Sequence, residues 1–276
     1  MIKHSSITLM LLLVATSVLA DSSFRDRMRD LNLESELLQN FLLNSNKVVE
    51  VDSKNYPELD RIVSALSKKA NIKKPMTFVI TRKHPVFFAK VNAGAVGDKE
   101  KSAIFVGSWV LDKITTEELE GIVAHEITHI AKDHTTPLFT RALAARAAVF
   151  GLAGFVDYLV KAKTKNNYAA LLAAASTFII GEIITSLLKA KYSRDCEREA
   201  DFGAIDLTDH AGLIGGLTKL DEVCDRYLPY SSVEQKEWLN RIFADHPLTE
   251  NRLEYIKKYR ATKADEEQKA LVSTVA

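Results

Sequence analysis

Cysteine is scarce in this chain: 276 residues contain two, Cys196 and Cys224. That excludes a disulfide framework, and neither residue has the spacing of a zinc-binding thiol pair. One bond between them and two buried thiols are both compatible with the sequence. A surplus of charge is also missing, because 37 Lys and Arg stand against 36 Asp and Glu, and no long basic run occurs. Binding to a nucleic-acid backbone therefore has no electrostatic footprint. Internal repeats and low-complexity segments are absent too. With 47% hydrophobic residues the chain can build a core and is not a disordered tail.

The apolar run at the start, in "MIKHSSITLMLLLVATSVLA", is shorter than the roughly 20 residues of a spanning helix. A Lys near the start and the small residues Val18 and Ala20 before Asp21 fit a cleavable secretory signal over residues 1–20 rather than a retained anchor. The mature chain is then expected in the periplasm or outside the cell. Residues 21–54 read as an amphipathic helix, through Phe24, Met28, Leu31, Leu37, Leu38, Phe41 and Leu42, followed by a linker. A second helix follows in "NYPELDRIVSALSKKANI", with Leu59, Ile62, Val63 and Leu66 on one face.

From Met76 to Leu111 the texture becomes rich in Val, Ile and Phe. It predicts two or three strands of a small antiparallel sheet, with "AGAVGDKEKS" as turn material. Beyond Ile114 almost everything reads helical. The expected class is α+β and mostly helical.

The segment "GIVAHEITHIAKDH", residues 121–134, carries the chemistry. Thr115 and Glu118 form a capping box at its start, and Leu119, Ile122, Val123, Ile127 and Ile130 make a buried stripe. His125 and His129 stand four apart on one face, where both can reach one ion. Glu126, about 100° further round the helix, is close enough to act on a water held there. This H-E-x-x-H pattern can supply two zinc ligands and a base, or two hydrogen-bonded interior histidines. His134, five beyond His129, falls off the ligand face and reads as a surface residue. A catalytic zinc needs a third ligand, and "KYSRDCEREADFGA" offers Glu197 and Asp201, four apart on one face, with Glu199 pointing away. One carboxylate can bind metal while the other holds a ligand histidine's N–H. An exposed charged helix end is the alternative for that segment.

Taken together, "HEITH" at 125–129, "SRDCEREAD" at 193–201 and "HPLTENR" at 246–252 resemble the zinc metallopeptidase family of the CAAX prenyl proteases and the HtpX-like heat-shock proteases. "VNAGAVG" followed by "SAIFVGSWVL" is also similar to that family's strand pair. The resemblance covers roughly residues 55–260, the expected peptidase domain, with a polar tail over 261–276. It implies zincin-like helices packed on the sheet and one Zn²⁺ held by His125, His129 and Glu197. It implies Glu126 as general base, Asp201 beside a ligand histidine, His246 near the substrate carbonyl, and Arg252 as a brace.

The expected substrate is an unfolded or misassembled polypeptide lying along an edge strand at Ala103, Ile104, Phe105 and Val106, through sequence-tolerant main-chain hydrogen bonds. The expected role is envelope protein quality control. A competing class is a chaperone-like module with structural zinc, but such sites are closed by four protein ligands, often cysteines.

Residues 141–190 remain open between alanine-rich helices packed over the site and a membrane hairpin joined by "KAKTKNN". Tyr168 to Leu188 is long enough to span a bilayer, but Glu182 near its middle costs about 2.5 to 3.5 kcal/mol. Arg146 and Asp157 interrupt the first stretch. The preferred expectation is a soluble or peripherally attached protein.

Overall fold

The computed structural model describes residues 48–81, 92–208, 211–227 and 249–275. The signal-like start, the amphipathic segment within 22–43 and His246 lie outside the described residues. Elements run β1 (Val48–Glu50), α1 (Pro57–Lys69), β2 (Met76–Ile80), β3 (Ala93–Gly97), β4 (Ser102–Gly107), α2 (Ser108–Lys113), α3 (Thr116–Ala131), α4 (Thr135–Thr164), α5 (Asn167–Thr208), α6 (Gly212–Tyr227) and α7 (Thr249–Val275). The fold is mostly helical α+β.

The sheet has the order β1-β2-β4-β3 and is mixed rather than wholly antiparallel. β1 and β3 pair antiparallel with their neighbours, but β2 and β4 run parallel, Phe78 facing Phe105 and Val79 facing Val106. Hydrophobicity explains the order. The strands rich in Val, Ile and Phe take the two central places, where both faces are covered. "AGAVG", read from composition as turn material and from the resemblance as a strand, is β3. Its small side chains have little to bury, and it forms an edge of the sheet among the described residues. Only Asp98 to Lys101 turns the chain: the Asp98 carboxylate accepts from the N–H groups of Glu100 and Lys101, and Gly97 adopts a positive φ of 96°.

The interior position of β4 overturns one expectation. Ala103, Ile104, Phe105 and Val106 are 0%, 0%, 7% and 0% exposed, and β4 is bonded to β2 on one side and β3 on the other. Its main chain has no free edge to offer a substrate.

One compact unit joins residues 34–135 to residues 194–276. Its core is built on α3, whose Leu119, Ile122, Val123, Ala124, Ile127 and Ile130 are buried with Leu59, Ile62 and Val63 of α1, Ile104 and Val106 of β4, and Ile205 of α5. Leu213 of α6 and Ile256 of α7 close the cluster. Two glycines permit the close approaches. A Cβ on Gly121 would collide with the backbone of Leu213, and one on Gly203 with the side chain of Thr128. α6 and the end of α5 can therefore lie directly against α3.

A second unit contains Thr136–Ser193, hence most of α4 and the first part of α5. These helices are joined at Lys165 and Asn166, where Lys165 has φ 54° and the Asn166 side chain caps α5 by accepting from Tyr168 and Ala169. Phe150 stacks obliquely on Phe178, and a Cβ on Gly181 would meet Val149. Both helices are long and apolar enough to cross a membrane, and almost none of their apolar stretches is buried. Phe150, Leu171, Leu172 and Leu188 are each more than 60% exposed.

Candidate metal site

α3 is fixed at its start by the expected capping box: the Thr115 hydroxyl accepts from Glu118 N–H at 3.3 Å, and the Glu118 carboxylate accepts from Thr115 N–H at 2.7 Å. Lys219 of α6 donates to the same carboxylate at 2.6 Å, which ties the two helices and helps hold Glu118 below the usual carboxylate range. Helical periodicity then carries His125 and His129 to the same side. The end of α5 brings Glu197 to them.

His125 Nε2 and His129 Nε2 are 3.0 Å apart, and the Glu197 carboxylate lies 3.4 Å from the first and 3.5 Å from the second. Zinc bonds of about 2.0–2.1 Å at tetrahedral angles place ligand atoms about 3.3 Å from one another. The 3.4 Å contact is made by Glu197 Oε2 and the 3.5 Å contact by Oε1, and one ligand atom from each of the three residues lies within 4.8 Å of the others, close enough to share one ion. His125, His129 and Glu197 are the group that can hold a metal ion among the described residues. Two nitrogens and one oxygen are also the donor set of a catalytic rather than a structural zinc site.

Behind these donors the charges are ordered. His125 Nδ1 lies 2.9 Å from Asp201 Oδ1. Asp201 is wholly buried and accepts a two-pronged contact from Arg252, Nε at 2.9 Å and Nη2 at 2.6 Å, and a third bond from the Tyr255 hydroxyl at 2.6 Å. Arg252 Nη2 also comes within 3.5 Å of Glu197. Burial alone would push His125 down, but the adjoining Asp201 and Glu197 carboxylates raise it to about 10. Burial would likewise raise Asp201, yet His125 and Arg252 hold it at about 2. Burial and Asp201 push the Tyr255 hydroxyl well above the ordinary tyrosine range. The pocket favours positive charge at His125, supplied by a proton or by a metal ion.

The structure therefore assembles His125, His129, Glu197, Asp201 and Arg252, and buries Glu126 beside them in sequence on α3. His134 departs from its expected surface position: it is 7% exposed, with Nδ1 at 2.9 Å from His129 Nδ1 and Nε2 at 3.3 Å from Glu199. Burial and His129 hold it below the usual histidine range. Helical spacing misplaces it because α3 ends before it. Asp133 has φ 52°, Asp133 N–H donates to Ile130 C=O, and His134 N–H donates to His129 C=O. That is a Schellman stop, which folds the second residue past the cap back onto the last turn.

Tyr255 was missed altogether, although its place three residues after Arg252 on one helix puts both side chains on the same face. Cys196 is buried, and the side chain of Cys224 lies outside the described residues.

The profile of peptidase family M48 matches residues 53–260 of this chain. The chain belongs to peptidase family M48. M48 membership makes it a peptidase of a metal-dependent type. Among M48 relatives, the protease HtpX homolog of Nostoc punctiforme is 28% identical over 218 residues, covering 73% of each chain. The protease HtpX homolog of Campylobacter curvus is 28% identical over 239 residues, covering 79% of each. The crystal structure of S. mikatae Ste24p superposes with a TM-score of 0.51 at 16% identity, over 91% of this chain and 62% of that one. At that identity the likeness speaks for the fold alone, and this M48 chain spans less than two thirds of the Ste24p chain.

Proposed function

We propose that the protein is a zinc-dependent endopeptidase that cuts extended segments of poorly folded proteins from a membrane-attached position. The observation that carries the catalytic half is the convergence of His125, His129 and Glu197, two nitrogens and a carboxylate within reach of one ion, with three protein donors rather than four. When bound there, zinc supplies a Lewis acid and makes water acidic enough to ionise near neutral pH.

The chain's own residues supply the remaining work. The Glu126 carboxylate takes the proton of the attacking water and returns it to the leaving amide nitrogen, a contribution typically of 10²- to 10⁴-fold, roughly. Asp201, with its carboxylate 2.9 Å from His125 Nδ1, attracts that edge of the ring and so keeps Nε2 turned toward Glu197 and His129. Arg252 and Tyr255 keep Asp201 ionised and fixed. His246, carried over from the family motif, is assigned as donor to the negative oxygen that develops on the substrate carbonyl.

With β4 internal, the substrate edge moves to β3, which packs on α3. Gly107 N–H donates to Asn92 C=O and Asp98 N–H to Lys101 C=O. By the alternation of an antiparallel pair, Ala93 and Ala95 then turn their N–H and C=O groups away from β4. An extended peptide can add there as a further strand without regard to its side chains, which favours unfolded segments.

The membrane half of the proposal rests on α4 and α5. Contiguous apolar surface of that extent is rare on soluble proteins, and bilayer insertion satisfies it. Arg146 Nε lies 3.9 Å from Glu182, so two of the three charges that count against insertion face each other. HtpX homologs are named as proteases, and the two long apolar helices agree with a membrane-associated member.

Purified protein should digest denatured casein, lose that activity to a zinc chelator and regain it with zinc. Digestion that survives complete metal removal contradicts the catalytic half. Alkaline carbonate extraction checks the other: retention in the pellet is expected, and release contradicts the hairpin.

A further inference from the structure

The mechanism above leaves His134 and Glu199 without a task, and the geometry points to one: together they form a two-bond relay that fixes the ring of His129 for metal binding. This rests on the metal-site reading of His125, His129 and Glu197. His129 turns Nε2 toward His125 Nε2 and Nδ1 toward His134 Nδ1, 2.9 Å away. The far nitrogen of His134, Nε2, stands 3.3 Å from Glu199 Oε2.

With the Nε2 lone pairs of His125 and His129 turned to a metal ion and all three rings neutral, one arrangement of protons satisfies the His129–His134 and His134–Glu199 contacts. A ligand nitrogen needs its lone pair, so the proton of neutral His129 sits on Nδ1 and is donated to His134. His134 must then accept at Nδ1, which puts its own proton on Nε2, where a carboxylate waits to accept it. Reversing the His129 tautomer would aim an N–H at the metal ion and leave two bare nitrogens opposed at 2.9 Å. The carboxylate at the end of the chain thus selects the metal-competent tautomer two rings away.

The backbone explains why this works. The Schellman stop at Asp133 brings residue 134 over residue 129, and the two rings meet edge to face at 79° with centroids 5.0 Å apart. Each ligand histidine therefore has its own anchor. His125 is held by wholly buried Asp201, whereas the chain from His129 ends on Glu199, whose side chain is 61% exposed. His134 is a positioning residue, since it touches a ligand and not the reacting atoms.

The test uses the full chain in detergent, with zinc affinity measured by competition against a chromophoric chelator and the visible spectrum of the cobalt-substituted protein as a second readout. His134→Leu should weaken zinc binding about 10- to 100-fold and alter the cobalt spectrum. His134→Gln, which still offers one acceptor and one donor, should recover most of the loss. Glu199→Ala should weaken zinc in the same direction by less, and its exposure makes it a safe variant if His134→Leu fails to fold. Wild-type affinity and an unchanged cobalt spectrum in folded His134→Leu would overturn the relay, as would a Gln variant no better than Leu. If Leu does not fold, unchanged affinity in Glu199→Ala overturns it. A wild-type chain that holds no zinc would instead sink the metal-site reading beneath it.

Discussion

A single helix, α5, shows two opposite ways of using side chains. Over Tyr168 to Leu188 it turns Leu171, Leu172, Ile180 and Leu188 outward. Past Arg194 the same helix buries Glu197, Ala200, Asp201 and Ala204. Apolar outside and charged inside is the inverse of a soluble helix in the first part and the mark of a functional site in the second. The first part presents an apolar surface that the bilayer of the proposed function would cover. The second needs every buried charge to have a counter-charge, and the His125, Asp201, Arg252 and Tyr255 contacts provide that. Helix propensity is common to both parts, so what distinguishes them is which partners the side chains find.

The comparison breaks most visibly at Glu126. Glu126→Gln should lower peptide turnover by roughly 10²- to 10⁴-fold while zinc content stays at the wild-type value, measured on the same sample. Next in size is Arg252→Met, which leaves Asp201 buried without its two-pronged guanidinium partner. Breaking such a pair costs about 3–5 kcal/mol, visible as a large fall in the melting temperature of the unit that contains α3. Gly203→Val should cost less, about 1–3 kcal/mol from overpacking against Thr128, and should weaken zinc binding by forcing α5 away from α3. Glu182→Leu tests the other half of α5: tighter retention in carbonate-washed membranes is expected, with zinc affinity unchanged.

A separate test is pH dependence. In the metal-free protein Asp201 sits at about 2 against an ordinary 3.8, so its contribution is complete above 3.8 and is lost as pH falls through about 2. His125 is raised from 6.5 to about 10, so its contribution is complete below 6.5 and is lost as pH rises toward 10. Thermal unfolding of the chelated protein should therefore be best resisted between about pH 4 and 6.5. Zinc should abolish the alkaline loss, because the ion replaces the His125 proton.

Much of this site is written in local spacing. H-E-x-x-H and the Glu197–Asp201 pair are each a four-residue step on one helix, so periodicity alone places each pair on a face. Bringing the two faces together is tertiary, and the enabling signal is small: Gly203 and Ala204 beside Asp201. His134 was legible only to someone asking where α3 stops, because Asp133 in the left-handed region breaks the period. The β4 misreading has a different origin. A hydrophobic strand with no alternation is a central strand, and the glycine–alanine composition of "AGAVG" suits an edge better than a turn. For 141–190, the cost of Glu182 counted against a membrane because its partner Arg146 lies 36 residues away and one helix over.

The central claim is that one zinc ion is bound by two imidazole nitrogens and a carboxylate oxygen. X-ray absorption at the zinc edge of the reconstituted full chain tests it most directly. The account predicts a first shell of nitrogen and oxygen only, at about 2.0–2.1 Å, with imidazole outer-shell scattering that falls by about half in His129→Ala. A sulfur scatterer at about 2.3 Å, which Cys196 beside Glu197 could supply, or a spectrum indifferent to His129 and Glu197, would contradict it.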